Sequence, residues 1–171
     1  DVARLVELVR ARVDLKNLAE WTCEANPGTL APAKLARLKN GGVNRLSIGA
    51  QSFDAAALKR LGRIHTAAET RESVALARAA GFDNVGLDVI YGVPGVSRQA
   101  FAADVEAALA LDPEHVSCYC LEIEEGTPFA REAAAGALAI CADAPRAQFA
   151  WARGRLAAAG YEHYEISNFA R

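Results

Sequence analysis

Three copies of one short pattern, a glycine that follows a helix and opens a strand, constrain the fold of this chain most strongly. Each copy runs glycine, apolar, two polar residues, apolar, any residue, apolar, and the copies begin at Gly42, Gly81 and Gly160. A fourth copy would fall near Asp112-Pro113, where a proline turn replaces the glycine. Helix–glycine–strand units that repeat about every 40 residues favour a (β/α) barrel or a doubly wound sheet, and the sequence leaves both open.

Apolar runs rich in Val, Ile and Leu alternate with alanine-rich helical segments. The predicted strands are residues 18–24, 43–51, 84–91, 115–123 and 161–166. The predicted helices are an opening helix from Val2 to about Val13, then residues 31–41, 54–61, 66–80, 97–110 and 142–159. This alternation predicts an α/β fold built on a parallel sheet. No G-x-G-x-x-G follows a strand, which disfavours a dinucleotide-binding fold.

Composition and charge exclude several classes of partner. The net charge of -2 and the pI near 6.0 offer no basic surface for nucleic acid. No apolar run approaches the roughly 20 residues that a membrane span needs. The first residues lack the charge and hydropathy pattern of a signal peptide, so we expect a cytoplasmic location.

The cysteines and histidines show no metal-ligand spacing. The four cysteines fit neither a zinc pattern nor a redox C-x-x-C pair, and they are interpreted as small buried residues in a reducing cytosol: Cys23, Cys118, Cys120 and Cys141. The three histidines lie on separate segments, where we predict non-catalytic roles: His65, His115 and His163. No metal site and no catalytic residue are therefore predicted.

Four polar residues occupy places that a pure core would not choose. Glu24 and Gln51 each close a predicted strand, Asp88 lies within an apolar strand, and Arg63 lies between two helices. Ligands of parallel α/β folds bind at the C-terminal ends of the strands, so these side chains are expected around one mouth. Together they suit a zwitterionic ligand that carries hydroxyl groups. The alternative explanation is structural, since a buried carboxylate such as Asp88 needs a partner and Arg63 is one candidate.

Five sequence elements in register resemble one known family. These elements are EANPGT at 24–29, NRLSIGAQSF at 44–53, LGRIH at 61–65, LDVIYGVPG at 87–95 and YEHYEISNFA at 161–170. They resemble the radical S-adenosylmethionine (SAM) proteins of the oxygen-independent coproporphyrinogen III oxidase and heme chaperone family. LGRIH and YEISNFA resemble the heme chaperone branch more closely than the oxidase branch.

The resemblance implies a partial, TIM-like (β/α) barrel of the radical SAM type, with SAM across its mouth. Glu24, Gln51, Arg63 and Asp88 fall on the family's SAM-contacting positions, whereas Glu122 replaces a small residue at a further one. In the family, a reduced [4Fe-4S] cluster cleaves SAM to a 5′-deoxyadenosyl radical. Heme or a porphyrinogen would be the second ligand, and a transient heme-acceptor protein would be the partner of a chaperone.

The family's cluster-binding C-x-x-x-C-x-x-C spacing does not occur in this chain. We therefore expect residues 1–171 to be a single partial barrel domain without the first strands and the C-terminal domain, and without bound cluster. The predicted function is the central part of a heme chaperone-like radical SAM protein. True coproporphyrinogen III dehydrogenation and a cluster-free ligand-binding remnant remain the alternatives.

Overall fold

Six strands form one sheet in the order β1-β2-β3-β4-β6-β5 in the computed structural model, which describes residues 2–138 and 143–171. The strands are β1 Thr22–Ala25, β2 Arg45–Gln51, β3 Asn84–Tyr91, β4 His115–Cys120, β5 Glu162–His163 and β6 Asn168–Ala170. The helices are α1 Val2–Arg12, α2 Pro32–Gly41, α3 Ala55–Arg60, α4 Ala67–Ala79, α5 Arg98–Leu109, α6 Pro128–Ala134 and α7 Asp143–Ala158. The predicted α/β class is confirmed. Cys141, and residue 142 at the start of the last predicted helix, lie outside the described residues.

Strands β1 to β4 are parallel and adjacent in chain order, so each βα unit adds one strand beside the previous one. The last predicted strand, 161–166, is wrong as a further parallel strand. Its residues form β5 and a turn, and β6 then pairs antiparallel with both β5 and β4. The described strands therefore form an open, mostly parallel sheet that is not closed into a barrel.

Left-handed backbone at the helix ends explains the repeated glycines. Gly42, Gly81 and Gly160 have φ of 109°, 84° and 87°, and Asp112 takes the same place in the fourth unit with φ 50°. Glycine adopts this conformation at little cost, and aspartate tolerates it better than most residues. The residue that follows is buried in each unit: Val43, Phe82, Pro113 and Tyr161. The same backbone conformation followed by a buried residue therefore recurs at the end of a helix in all four units.

Helix start signals were a reliable part of the sequence pattern. Thr66 and Glu69 form the expected capping box at α4, and the Ser97 hydroxyl accepts from the Ala100 N–H at the start of α5. Helix α6 starts at the Thr127 cap, and its beginning was not predicted as helical. The first strand is shorter than predicted, because 18–21 are non-strand backbone before β1.

The core lies on one face of the sheet, beneath the helices. Alternate strand residues are fully buried there, including Leu46, Ile48, Leu87, Val89 and Val116. They pack in one cluster with helix residues that include Leu35, Leu38, Phe101, Val105 and Leu156. Burial of each such side chain contributes about 1.5–3 kcal/mol. The opposite face is free to carry other chemistry.

Candidate functional site

The uncovered face of the sheet is polar, and we call it the lumen face. It carries the strand residues that alternate with the core, including Glu24, Ser47, Asp88, His115 and Ser117. Side chains of successive strand residues point to opposite faces, so the apolar core residues and these polar residues lie on different faces of the sheet. In a doubly wound sheet helices would cover both faces and both would be apolar. One apolar face packed against helices and one polar face without such packing are the arrangement of a barrel wall.

Asp88 lies at the centre of the lumen face, and hydroxyl groups hold it. The Ser47 hydroxyl donates to Asp88 Oδ1 at 3.2 Å, and Ser117 on the neighbouring strand β4 is its second hydroxyl partner. Burial raises the pKa of Asp88 above its ordinary value, and the Ser117 and Ser47 hydrogen bonds oppose that rise. Burial of this carboxyl group is therefore costly, and none of the residues in 2–138 and 143–171 forms a direct ion pair with it.

A second carboxylate faces the same space. Glu24 is exposed near the end of β1, and its charge also raises the pKa of Asp88, whereas Arg45 lowers it. Two like charges on one concave face repel each other unless a cation or hydroxyl donors lie between them. The pair is therefore suited to a ligand that carries positive charge or hydroxyl groups.

Gln51 ends β2 in an irregular conformation. The pairing of β2 with β3 shifts between Ile48 and Gln51, so three steps on β2 match two on β3. Such a bulge re-aims the side chain that follows it. Gln51 has φ 63° and its amide turns back over Gly49, where an added Cβ would lie 2.7 Å from Gln51 Nε2 and 3.8 Å from Asn26 Oδ1. Two side-chain amides thus converge near Glu24.

Arg63 lies on an exposed loop between α3 and α4, and the suggested Asp88–Arg63 ion pair is wrong. In the described part of the chain, the Arg63 side chain has no acidic partner, and Asp88 is held by serines. The loop is nevertheless tied to the site, because buried His65 places Nε2 3.1 Å from the Ala50 carbonyl oxygen. Arg63 is therefore two residues from an anchor beside Gln51.

His115 and Tyr164 form a pair on the lumen face that the sequence did not predict. His115 Nε2 lies 2.8 Å from the Tyr164 hydroxyl, while its buried Nδ1 has no hydrogen-bond partner in the described part of the chain. Burial lowers the pKa of His115, and nearby Arg45 lowers it further, so the neutral ring is favoured. The signal in the sequence was the position of His115 in an alternating strand pattern, in which Val116 and Cys118 face the core and His115 and Ser117 face the other side.

Comparison with known proteins identifies the family. The family model "Radical SAM superfamily" matches residues 1–108. The chain belongs to the radical SAM superfamily.

Among curated radical SAM relatives, the chain is similar to proteins named heme chaperone HemW. It is 38% identical over 167 residues to that of Lactococcus lactis, covering 97% of this chain and 44% of the relative. It is 40% identical over 167 residues to that of Escherichia coli, covering 98% of this chain and 43% of the relative. The chain thus spans less than half the length of these relatives.

A solved radical SAM structure confirms the fold. Coproporphyrinogen III oxidase (HemN) from Escherichia coli superposes with a TM-score of 0.83 at 24% identity, covering 99% of this chain and 39% of that one. At this identity the match supports the fold alone. It supports the expected partial barrel architecture.

The residues of this radical SAM chain do not fit an iron–sulfur cluster. No group of three or more His, Cys, Asp or Glu residues within 2–138 and 143–171 is placed to hold a metal ion. Burial raises the pKa of Cys118 to about 12, so its thiol stays protonated. Cys118 is buried as predicted, but Cys23 is half-buried and Cys120 is exposed, so that interpretation is wrong for Cys120.

Three exposed apolar side chains lie along the antiparallel edge of the sheet, and we call Tyr119, Tyr164 and Ile166 the aromatic wall. Their exposed fractions are 44%, 57% and 80%. In the antiparallel pairing Ser117 lies opposite Asn168, and a hydrogen bond of 2.8 Å from the Cys118 N–H to the Ser167 carbonyl continues that register toward Tyr119 and Ile166. Exposed Glu122 follows β4 at the end of this wall.

Among the described residues, no helix has both the length and the hydropathy needed to cross a bilayer.

Proposed function

We propose that the lumen face binds SAM, with Glu24, Gln51, Arg63 and Asp88 as the contacting residues. The observation that carries this proposal is the pair of carboxylates, Glu24 and Asp88, that share one concave face beside the Gln51 amide. SAM carries an ammonium group, a sulfonium group and ribose hydroxyls, and carboxylates and amides are suitable partners for all three. Membership of the radical SAM superfamily supports the same ligand.

SAM supplies the reactive chemistry when it is bound; the residues of this chain bind and orient it. Asp88 and Glu24 would accept hydrogen bonds from the ribose hydroxyls or the ammonium group, and Arg63 would pair with the SAM carboxylate. These residues act as positioning groups and not as bases or nucleophiles.

Calorimetric titration of the full-length protein with SAM tests the proposal. We expect Asp88→Ala to weaken binding at least tenfold, which is about 1.4 kcal/mol. Glu72→Gln is the matched control, because Glu72 is an exposed carboxylate on α4, away from the lumen face. Equal affinities of the wild type and Asp88→Ala would contradict the proposed site, and failure of the wild type to bind SAM would contradict the function.

We further propose that the full-length protein binds heme, as the relatives' name states for them. The supporting observation in this chain is the aromatic wall, which leaves two tyrosine rings and one isoleucine uncovered beside the polar site. Flat aromatic ligands pack well on such side chains, because they offer large apolar area and favourable ring–ring geometries.

Titration with hemin, followed by its Soret absorbance, tests the second proposal. The double variant Tyr119→Ala, Ile166→Ser is expected to weaken heme binding about tenfold while SAM binding stays unchanged. Leu5→Ser is the control, because Leu5 is 62% exposed on α1, outside the sheet. Unaltered heme affinity in the double variant would exclude the aromatic wall as the heme-binding surface.

A further inference from the structure

Gln51 occupies a backbone conformation that glutamine rarely adopts. Its φ is 63°, and Gln51 and Asp112 are the non-glycine residues with positive φ in the described part of the chain. The Ser52 N–H donates to the Ala50 carbonyl across Gln51 at 2.7 Å, which closes a tight γ-turn. A γ-turn with positive φ at its centre is rare and strained, so the surrounding structure must hold it.

The group that holds the turn from one side is Asp104 on helix α5. Its carboxylate is 3% exposed and accepts from the Ser52 hydroxyl at 2.7 Å and from the Phe53 N–H at 2.7 Å. The Ser52 hydroxyl in turn accepts from the Asp54 N–H at 3.0 Å. One carboxylate therefore fixes, directly or through one hydroxyl, the three residues that follow Gln51.

His65 holds the other side of the turn. The Ala50 carbonyl that receives the Ser52 N–H also faces His65 Nε2 at 3.1 Å. The peptide groups before and after Gln51 are thus both anchored. From this anchored turn the Gln51 side chain extends over Gly49, which has no Cβ to obstruct it.

Burial of the Asp104 carboxylate costs free energy, and holding a loop without a further role would not explain that cost. Burial raises its pKa, and in the described part of the chain it has no ion pair with a basic residue. The start of helix α3 does not need it, because the Asp54 side chain already accepts from the Ala57 N–H at 2.8 Å. Buried strained arrangements of this kind are kept where they orient a functional group.

We propose that Asp104 is a positioning residue for SAM: from the helix side of the sheet, it holds Gln51 in the strained turn that directs the Gln51 amide into the lumen. The inference rests on the proposed SAM-binding function. Asp104 itself does not touch the ligand. Its contribution is preorganisation, because a side chain that is already ordered loses less entropy when the ligand binds.

A double-mutant cycle on the full-length protein tests this inference, with SAM affinity measured by calorimetry and stability by thermal unfolding. Asp104→Ala and Gln51→Ala are each expected to weaken SAM binding about tenfold, or about 1.4 kcal/mol. The double variant should bind SAM no more weakly than Gln51→Ala alone, since Asp104 acts only through Gln51. The fall in Tm caused by Asp104→Ala should be the same with either residue at position 51.

Asp104→Asn provides the rescue, because its Oδ1 can still accept from the Phe53 N–H. It should recover most of the SAM affinity, and it is the working variant if Asp104→Ala does not fold. Independent, multiplicative losses in the double variant would refute the inference, as would unchanged affinity in Asp104→Ala or in Gln51→Ala. A wild type that binds no SAM would instead refute the proposed function, so the two failures are distinguishable.

Discussion

The two faces of the same four parallel strands differ in chemistry, because one is apolar and packs against helices and the other carries polar side chains. On β3, Val85, Leu87 and Val89 are fully buried against helices, while Gly86 and Asp88 between them belong to the lumen face. The helix face contributes stability through burial of apolar area. The lumen face retains a carboxyl group whose raised pKa records the cost of its burial. Adjacent residues on one strand thus serve different purposes, because one stabilises the core and the next places a polar group in the lumen at a cost in stability.

The largest effect is expected on the helix face. Leu87→Ala removes a fully buried side chain from the centre of the core, and it should lower the free energy of unfolding by about 3 kcal/mol. SAM affinity should stay at the wild-type value wherever the variant is folded, because Leu87 points away from the lumen. Urea unfolding measures the loss. A loss below about 1 kcal/mol would contradict this account of the core.

Substitution of the next residue, Asp88, should change the free energy of unfolding in the opposite direction. Asp88→Asn removes a buried charge while an oxygen remains for the serine hydroxyls, so it should raise the free energy of unfolding by about 1 kcal/mol at pH 7. SAM binding should weaken in the same variant. If Asp88→Asn is stabilised but binds SAM as well as the wild type, the proposal that the lumen face serves ligand binding would be contradicted.

The pH dependence of this gain has a definite direction. Since the folded state favours the protonated form of Asp88, the wild-type stability that depends on this group is greatest at low pH. It falls as the pH rises from about 3.9, the ordinary value, through the raised pKa. The advantage of Asp88→Asn should therefore be smaller at pH 4 than at pH 7, as urea unfolding at the two values would reveal. An equal gain at both would mean that the charge is not its cause.

The smallest effect is expected at the strained turn. Gln51→Gly places at φ 63° the residue that tolerates it best, so it should raise the free energy of unfolding by up to about 1 kcal/mol. Asp112→Gly is the comparison, because its φ of 50° has no proposed ligand role; it also removes the exposed Asp112–Arg171 ion pair, so its gain in stability should be the smaller one. Both should raise Tm slightly, but only Gln51→Gly should weaken SAM binding. Loss of binding in both would point to a general change of the fold.

The sequence predicted the parts of the site that interrupt a local pattern. Glu24, Gln51 and Asp88 stand out because polar residues close or interrupt apolar strands, and the structure places all three at the lumen. Their contacts with SAM stay a prediction. The position of Arg63 at the mouth stays a prediction, but its suggested pairing with Asp88 was wrong, because motif spacing does not reveal which way a loop side chain extends.

Long-range partners account for what the sequence could not predict. Asp104 meets Ser52 across 52 residues, and His115 meets Tyr164 across 49. No periodicity links such positions, since only the packing of α5 and of the β5–β6 turn brings them together. The last strand was misassigned for the same reason: the glycine pattern at Gly160 predicts where a strand starts but not the direction of its partner.

The strand order described above also sets the order in which the molecule can be made. Strands β1 to β4 are neighbours in the same sequence in which a ribosome would release them, so each new βα unit finds its partner already present. Strand β6 is different, because it pairs back onto β4 only after α6 and α7 have been synthesised. Closing that longer loop is the entropically slower step. The aromatic wall beside β6 would therefore be the last part of the lumen to form during synthesis.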